Sequence, residues 1–349
     1  MNMAMQMSPD AIRSHLAEHP KKRARDISNM LGIGEAALLA AQGATPISAN
    51  LDEVMPALNT VGAVMALTRN ASAVHEKTGI YENYRGGPHA SMVINDDIDM
   101  RMFGRHWFHG FADVTETESG VRRSLQFFDA AGDAVHKVYA REDTDLTAWE
   151  ALVKNLSKGD PVETLDLQAR GPAEAAKINQ SKAEALRTEW AKLTDTHQFL
   201  RLVSKMGMNR LGAYRVAGAP FVTPLAPWAL NDAIVALGDS DTEIMLFVGN
   251  QGCIQIHTGQ INKIKPMGPW QNILDPGFNL HLRTDHVAEV WAVEKPTKRG
   301  PAISIEAFDE EGALILQMFG RRKESDKVDH TGAFLDLIQT LPKLHTEDA

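Results

Sequence analysis

A single cysteine, Cys253, stands in the whole chain. One cysteine excludes an intrachain disulfide framework, a CxxC zinc site and a CxxCH attachment motif. No run of 18 apolar residues occurs, so no membrane-spanning helix is expected. Residues 1–16 lack a basic segment followed by an apolar one, so no signal peptide is expected. These absences point to the cytoplasm. HExxH, the nucleophile elbow and the P-loop are also missing, as is any reductase-type flavin or nicotinamide motif. Positive charge is in short supply. The net charge of −9 argues against broad nucleic-acid binding.

What is there is ordinary in bulk and unusual in arrangement. With 349 residues, the chain exceeds one ordinary core, and two domains are expected. The stretch 70–79 reappears as 250–259, with Asn70, Thr78 and Gly79 matching Asn250, Thr258 and Gly259 at an offset of 180 positions. Met65 matches Met245 at that offset, Phe128-Asp129 and Gly132 match Phe308-Asp309 and Gly312, and Arg141 matches Arg321. A sustained offset is the mark of a duplicated fold. Residues 121–129 and 135–141 flank a glycine-containing turn, as do 302–308 and 313–319, and both pairs read as β-hairpins. Residues 243–248 and 253–256 suggest a further hairpin. Helices are expected at 23–31, 35–41, 146–156, 173–193 and 195–206, with Ser8-Pro9 opening another. The expected fold class is α+β, a tandem duplication of two halves with large antiparallel sheets and flanking helices. Residues 1–170 form the first repeat with its connector, and 171–349 the second.

Several motifs carry little. Gly32-Ile33-Gly34-Glu35-Ala36-Ala37 fits GxGxxA, but a dinucleotide fingerprint must follow a strand, and this one follows a helical stretch. A corner between two helices is expected instead. The helix after it is apolar and acidic, which suits packing rather than DNA bases. His106 and His109 would face opposite sides of a strand, so they do not converge on a metal.

His197 is different. In the helix expected at 195–206, Phe199, Leu202, Val203 and Met206 form one apolar stripe at helical spacing. His197 lies opposite that stripe, beside Arg201 and Ser204. Thr194 or Asp195 is available to cap the helix, with Gln198 as the far half of a capping box. A histidine in the first turn faces the positive end of the helix dipole, which favours the neutral, ligand-competent imidazole. Spacing alone leaves an ordinary surface histidine as the alternative.

Longer stretches carry a resemblance. Residues 64–70, 75–81, 193–199, 249–259 and 290–297 resemble the haemin-degrading, haemin-transport factor family (HmuS/HemS-like proteins), and the likeness runs over essentially the whole chain. The resemblance implies haem held at the C-terminal half, with His197 as axial iron ligand. It implies that Arg101, from the first repeat, sits on the distal side as the catalytic group. Arg210, Lys295 and Arg322 match haem-contacting positions and are expected at the propionates. Met245, Phe247, Gln317 and Phe319 match pocket-lining positions. The family often has tyrosine where this chain has Phe319, so a hydroxyl hydrogen bond is lost there. His75 matches a family histidine whose role is a ligand for a second haem or a structural one. Two functions follow from the resemblance. One is oxidative cleavage of haem with electrons from an external donor. The other is delivery of haem, received from an importer, to a separate haem oxygenase.

Overall fold

The computed structural model describes residues 7–118, 120–323 and 328–344. Residues 1–6, where the signal-peptide reading begins, lie outside the described residues. Two compact units emerge. Unit 1 holds the chain up to Arg69, His75–Gly171 and Gly249–Gln255; unit 2 holds Asn70–Val74, Pro172–Val248 and the chain from Ile256 on. Each half thus contributes one short turn segment to the other unit.

In the first half the order is α1 (Pro9–Glu18), α2 (Ala24–Leu31), α3 (Glu35–Ala41), β1 (Thr45–Ile47), α4 (Leu51–Asn59), β2 (Gly62–Arg69), β3 (Ala73–Gly79), β4 (Ser91–Ile94), β5 (Asp99–Met102), β6 (His109–Thr117), β7 (Gly120–Phe128), β8 (Ala134–Thr144) and α5 (Leu146–Leu156). The second half continues with α6 (Ala183–Trp190), α7 (Gln198–Lys205), α8 (Arg210–Ala217), β9 (Val222–Leu225), α9 (Ala229–Gly238), β10 (Ile244–Gly249), β11 (Cys253–Gly259), β12 (Ile264–Met267), β13 (Trp270–Asp275), β14 (Phe278–Arg283), β15 (Glu289–Lys295), β16 (Ala302–Phe308), β17 (Leu314–Gly320), β18 (Arg322–Lys323), β19 (Val328–Asp329) and α10 (Thr331–Thr340). Unit 1 carries the strand run β1-β6-β7-β8-β2-β3, and unit 2 the run β10-β17-β16-β15-β9. Neighbours are antiparallel. The fold is α+β and duplicated. No helix among the described residues is long and apolar enough to cross a membrane.

Local chemistry explains the boundaries. Ser8 caps α1 through its hydroxyl, with Pro9 at the first helical position. Gly32, at φ +68°, ends α2 in the left-handed conformation, and Gly34 starts α3. The expected corner is therefore present. The repeat is visible atom by atom in its turns. Asn70 Oδ1 accepts the backbone N–H groups of Ser72 and Ala73, and Asn250 Oδ1 those of Gly252 and Cys253. Likewise Asp129 and Asp309 each accept the N–H four residues on, with Gly132 and Gly312 at φ +80° and +86°.

One expected helix is shorter. The helix read at 173–193 begins only at Ala183, after a 3-10 turn at Gln180–Lys182. The preceding segment is irregular because α8 claims its backbone. Asn209 accepts the Lys177 N–H at 3.0 Å and donates to the Ala175 carbonyl at 2.9 Å.

Each sheet run is covered on both faces. In unit 1, α4 and α5 pack on Val64, Ala66, Leu125, Phe127 and Val138, while α3 packs on Phe111 and Phe128. In unit 2, α9 and α10 cover Ile244, Leu246, Ile305 and Met318. Helices α6, α7 and α8 cover the opposite face at Val222, Val293 and Phe308.

The core of unit 1 contains a fully buried histidine. His136 Nδ1 lies 2.9 Å from the Thr68 hydroxyl and Nε2 lies 2.6 Å from the Tyr81 hydroxyl. Burial pushes its pKa from 6.5 down to about 3. Below pH 6.5 the unfolded chain takes up a proton that the folded chain refuses. Stability from this group is therefore present above pH 6.5 and is lost as pH falls towards 3. The slope is about 1.4 kcal/mol per pH unit, so about 2 kcal/mol between pH 6.5 and 5. Urea unfolding of wild type and His136→Gln at several pH values checks this. The variant should show the smaller pH slope, whatever its absolute stability, and equal slopes would refute the assignment.

Candidate functional site

His197 occupies the N-cap position of α7, one residue before the helix proper. Helix α7 is thus shorter than expected, because the 194–197 segment folds as its own turn. Gln198 reaches back to Thr194, accepting its N–H at 3.0 Å. Asp195 Oδ1 accepts two hydrogen bonds from His197, from the backbone N–H at 2.8 Å and from Nδ1 at 2.6 Å. These bonds, led by the backbone one, hold the Asp195 carboxyl below the usual carboxylate range. The apolar stripe lands where expected, with Phe199, Leu202 and Val203 buried. The His197 side chain is 93% exposed on the opposite side. Helix α7 is fixed by Phe199, whose ring lies 4.6 Å from Trp190 and 5.7 Å from Tyr214.

Under those helices runs a sheet face whose outer part stays half-exposed. Met245 pairs with Phe319, and Phe247 with Gln317, so all four point to one side. The Phe247 and Phe319 rings meet at 5.4 Å, nearly perpendicular. Tyr139 holds the matching position in the first repeat. On the same face the next strand places Ser304 opposite Phe319 and Glu306 opposite Gln317.

Glu306 is wholly buried, and it organises two of the expected cations. Arg210, the first residue of α8, donates to Oε2 at 2.8 Å, as does Tyr214 at 2.8 Å. Lys295 donates to Oε1 at 2.6 Å and Ser304 to the same atom at 2.9 Å. Burial alone would raise the Glu306 pKa, but Lys295 and Arg210 overcome it and hold the carboxyl well below the usual range. Lys295 is only 3% exposed and packs 4.9 Å above the Phe199 ring. It therefore departs from the expected role of a contact to an external carboxylate: its ammonium is committed inside. Arg210 keeps 21% of its side chain exposed. In unit 1 the charges are inverted, with Glu35 opening α3 and bonding to Lys137 at 2.6 Å and to Arg69.

Arg322 lies in β18 and donates to the carbonyl of Arg299 at 2.9 Å and to the Thr297 hydroxyl at 3.3 Å. The same 297–300 turn is tied to the His197 turn by the Lys298 N–H donating to the Thr194 carbonyl at 3.0 Å. A short chain of hydrogen bonds therefore links His197 to Arg322. Unit 2 thus combines an exposed imidazole, a half-exposed, largely apolar sheet face and two partly exposed guanidinium groups. That chemistry suits a flat apolar ligand bearing a metal and carboxylates.

Other expected residues lie elsewhere. Arg101 belongs to unit 1, on β5, where it bonds to Asp99 and to the Met100 carbonyl at 3.1 Å. His75 is fully buried on β3. His106 ends a 3-10 turn, Gly104–His106, and only His109 opens a strand, so the two do not share a strand as expected. Among the described residues, no group of three or more His, Cys, Asp or Glu side chains is placed to hold a metal ion. A polar cleft of about 540 Å³ in unit 1, lined by Asn50, Asp52, His89 and Arg105, contains none of the expected site residues. Sequence reading missed Glu306 and Tyr214, and it took Asp195 for a helix cap only.

Comparison with known proteins gives a consistent set. A model of the haemin-degrading HemS.ChuX domain matches twice, over residues 32–156 and 207–341. The hemin transport protein HemS of Yersinia enterocolitica is 39% identical over 314 residues, covering 88% of this chain and 90% of that protein. Holo-PhuS, described as a heme-binding protein from Pseudomonas aeruginosa, is 39% identical with a TM-score of 0.90, covering 97% of this chain and 100% of that one. ChuS, described as an E. coli heme oxygenase, is 33% identical with a TM-score of 0.84, covering 94% and 99%.

Proposed function

The chain belongs to the haemin-degrading HemS/ChuX family, and from that premise we propose that it binds haem through His197 and serves haem-iron utilisation in the cytoplasm. The observation that carries this reading is the exposed imidazole whose Nδ1 is bonded to Asp195, in the unit whose sheet also carries the half-exposed face of Met245, Phe247, Gln317 and Phe319. Nε2 is then the atom that meets the iron. Met245, Phe247, Gln317 and Phe319 take the haem face. Arg322 and the exposed edge of Arg210 meet the propionates by charge-assisted hydrogen bonds. Lys295 contributes by holding Glu306 and Arg210 in place.

In the first form of the reading haem is a substrate, cleaved oxidatively to release iron, with electrons from an external donor. Arg101 is then the catalytic group, a guanidinium donor that would stabilise negative charge developing during cleavage. The second form makes haem a cargo, accepted from an importer and passed to a separate oxygenase. It draws support from the 39% identical relative named a hemin transport protein. The deciding experiment loads the protein with haemin and supplies reductant and oxygen with catalase present, since free peroxide destroys haem unaided. A cleaved tetrapyrrole and chelatable iron mean an enzyme. Intact haem that transfers to an apo-oxygenase means a carrier. If the enzyme form holds, Arg101→Ala should bind haemin almost normally and lose turnover by about 10²-fold. Equal turnover in the variant would remove Arg101 from the mechanism.

A further inference from the structure

An exposed histidine has nothing packed against it to fix its ring. His197 is nevertheless pinned, because one oxygen of Asp195 accepts both its backbone N–H at 2.8 Å and its Nδ1 at 2.6 Å. The backbone bond sets the carboxylate, and the carboxylate sets the ring. We propose that Asp195 is a positioning residue for the haem iron ligand: it takes the Nδ1–H of His197, turns Nε2 outward and strengthens that nitrogen as a donor to iron.

The inference rests on His197 being the ligand. A carboxylate acceptor requires the proton on Nδ1, and in neutral imidazole this leaves the lone pair on Nε2. A bond at 2.6 Å is at the short, charge-assisted end of the range. Pulling on the Nδ1 proton raises electron density at Nε2, the general effect of outer partners on metal-bound histidines. The turn that carries the pair is itself tied down. Gln198 accepts the Thr194 N–H at 3.0 Å, and the Thr194 carbonyl accepts the Lys298 N–H at 3.0 Å.

The test compares full-length wild type, Asp195→Asn, Asp195→Ala and His197→Ala, each titrated with haemin. The iron–imidazole stretch of the reduced form is read by resonance Raman, and the iron reduction potential by spectroelectrochemistry. Asparagine keeps an acceptor oxygen but not the charge. Its stretch should fall in frequency and its potential should rise, with affinity nearly kept. Alanine removes both effects, and haemin affinity should fall about 10–100-fold. If neither Asp195 variant shifts stretch, potential or affinity, while His197→Ala abolishes the stretch, the proposal is overturned and the ligand assignment stands. If His197→Ala keeps the wild-type stretch, the ligand assignment falls and takes the proposal with it.

Discussion

His197→Ala is expected to abolish saturable haemin binding while leaving the stability of the haem-free protein within about 0.5 kcal/mol of wild type. The two halves of this expectation come from one number. The side chain is 93% exposed, so its removal opens no cavity and strands no buried partner. The hydrogen bond lost from Nδ1 ends on an Asp195 carboxylate that is itself in contact with water. The backbone N–H of residue 197 still donates to that carboxylate, so the turn ahead of α7 keeps its anchor. Binding has no such reserve. Changing an outer partner of a metal ligand typically costs 10–100-fold in affinity, and removing the ligand itself should exceed that. Optical titration should show a sharpened Soret band in wild type and an unsaturated, aggregate-like rise in the variant. Wild-type binding by the variant would place the site elsewhere. Weakened binding together with a large loss of stability would mean that His197 has a structural role that its exposure denies.

How much of this was legible in the sequence depends on how local the determinants are. The turns at Asn70, Asn250, Asp129 and Asp309 are written in adjacent residues, since an Asx side chain bonds to its own backbone a few positions on. They could therefore be found by matching the chain against itself. The bounds of α3 and α5 were equally plain, set by glycines, an Asp145 cap and apolar periodicity. The end of the chain segment before α6 was not. Its composition favours helix, but Asn209, more than 30 positions away in sequence, takes its backbone groups instead. In the site, the apolar stripe of α7 placed His197 on the exposed side correctly. The Asp195 bond to its ring was hidden because the same carboxylate reads equally well as a cap. The Glu306 network left a signal that went unused. A carboxylate in the middle of Ala302–Phe308, an otherwise nearly apolar strand, must find cationic or hydrogen-bonding partners. Arg210 and Lys295 were singled out as cations, but only for an external carboxylate, when an internal one was closer.

That internal carboxylate should be the most costly single residue to neutralise near the site. Glu306→Gln is expected to destabilise the protein by about 3–5 kcal/mol, the usual cost of breaking a buried ion pair from one side. Glutamine keeps the shape, and its one oxygen can still accept from Ser304 while its amide N–H donates to the Tyr214 oxygen, so volume and neutral hydrogen bonds are largely conserved. What it removes is the negative charge on which both Lys295, 3% exposed, and Arg210 depend. Burial already pushes the Lys295 pKa down to about 8 against the pull of Glu306. Without that pull Lys295 should shed its proton at neutral pH, and Arg210, which cannot, should swing towards water. Since Arg210 opens α8 and Lys295 packs on Phe199 of α7, the disturbance should reach the helices that carry His197. The pH dependence carries the same signature. A carboxyl held below its unfolded pKa of about 4.5 contributes stability above that pH and loses it as pH falls. Wild type should therefore lose stability in acid more steeply than Glu306→Gln. Denaturant unfolding at neutral and acid pH checks both points. A loss under about 1 kcal/mol at neutral pH, or parallel acid slopes, would mean that the carboxylate is better solvated than its burial implies. A triple change of Glu306, Arg210 and Lys295 to apolar residues of similar size should then recover much of the stability lost, because no charge is left stranded. It should not recover haemin affinity, since the propionates would have lost Arg210. Stability and binding would thereby separate, as they should if the network is structural and only its exposed edge meets the ligand.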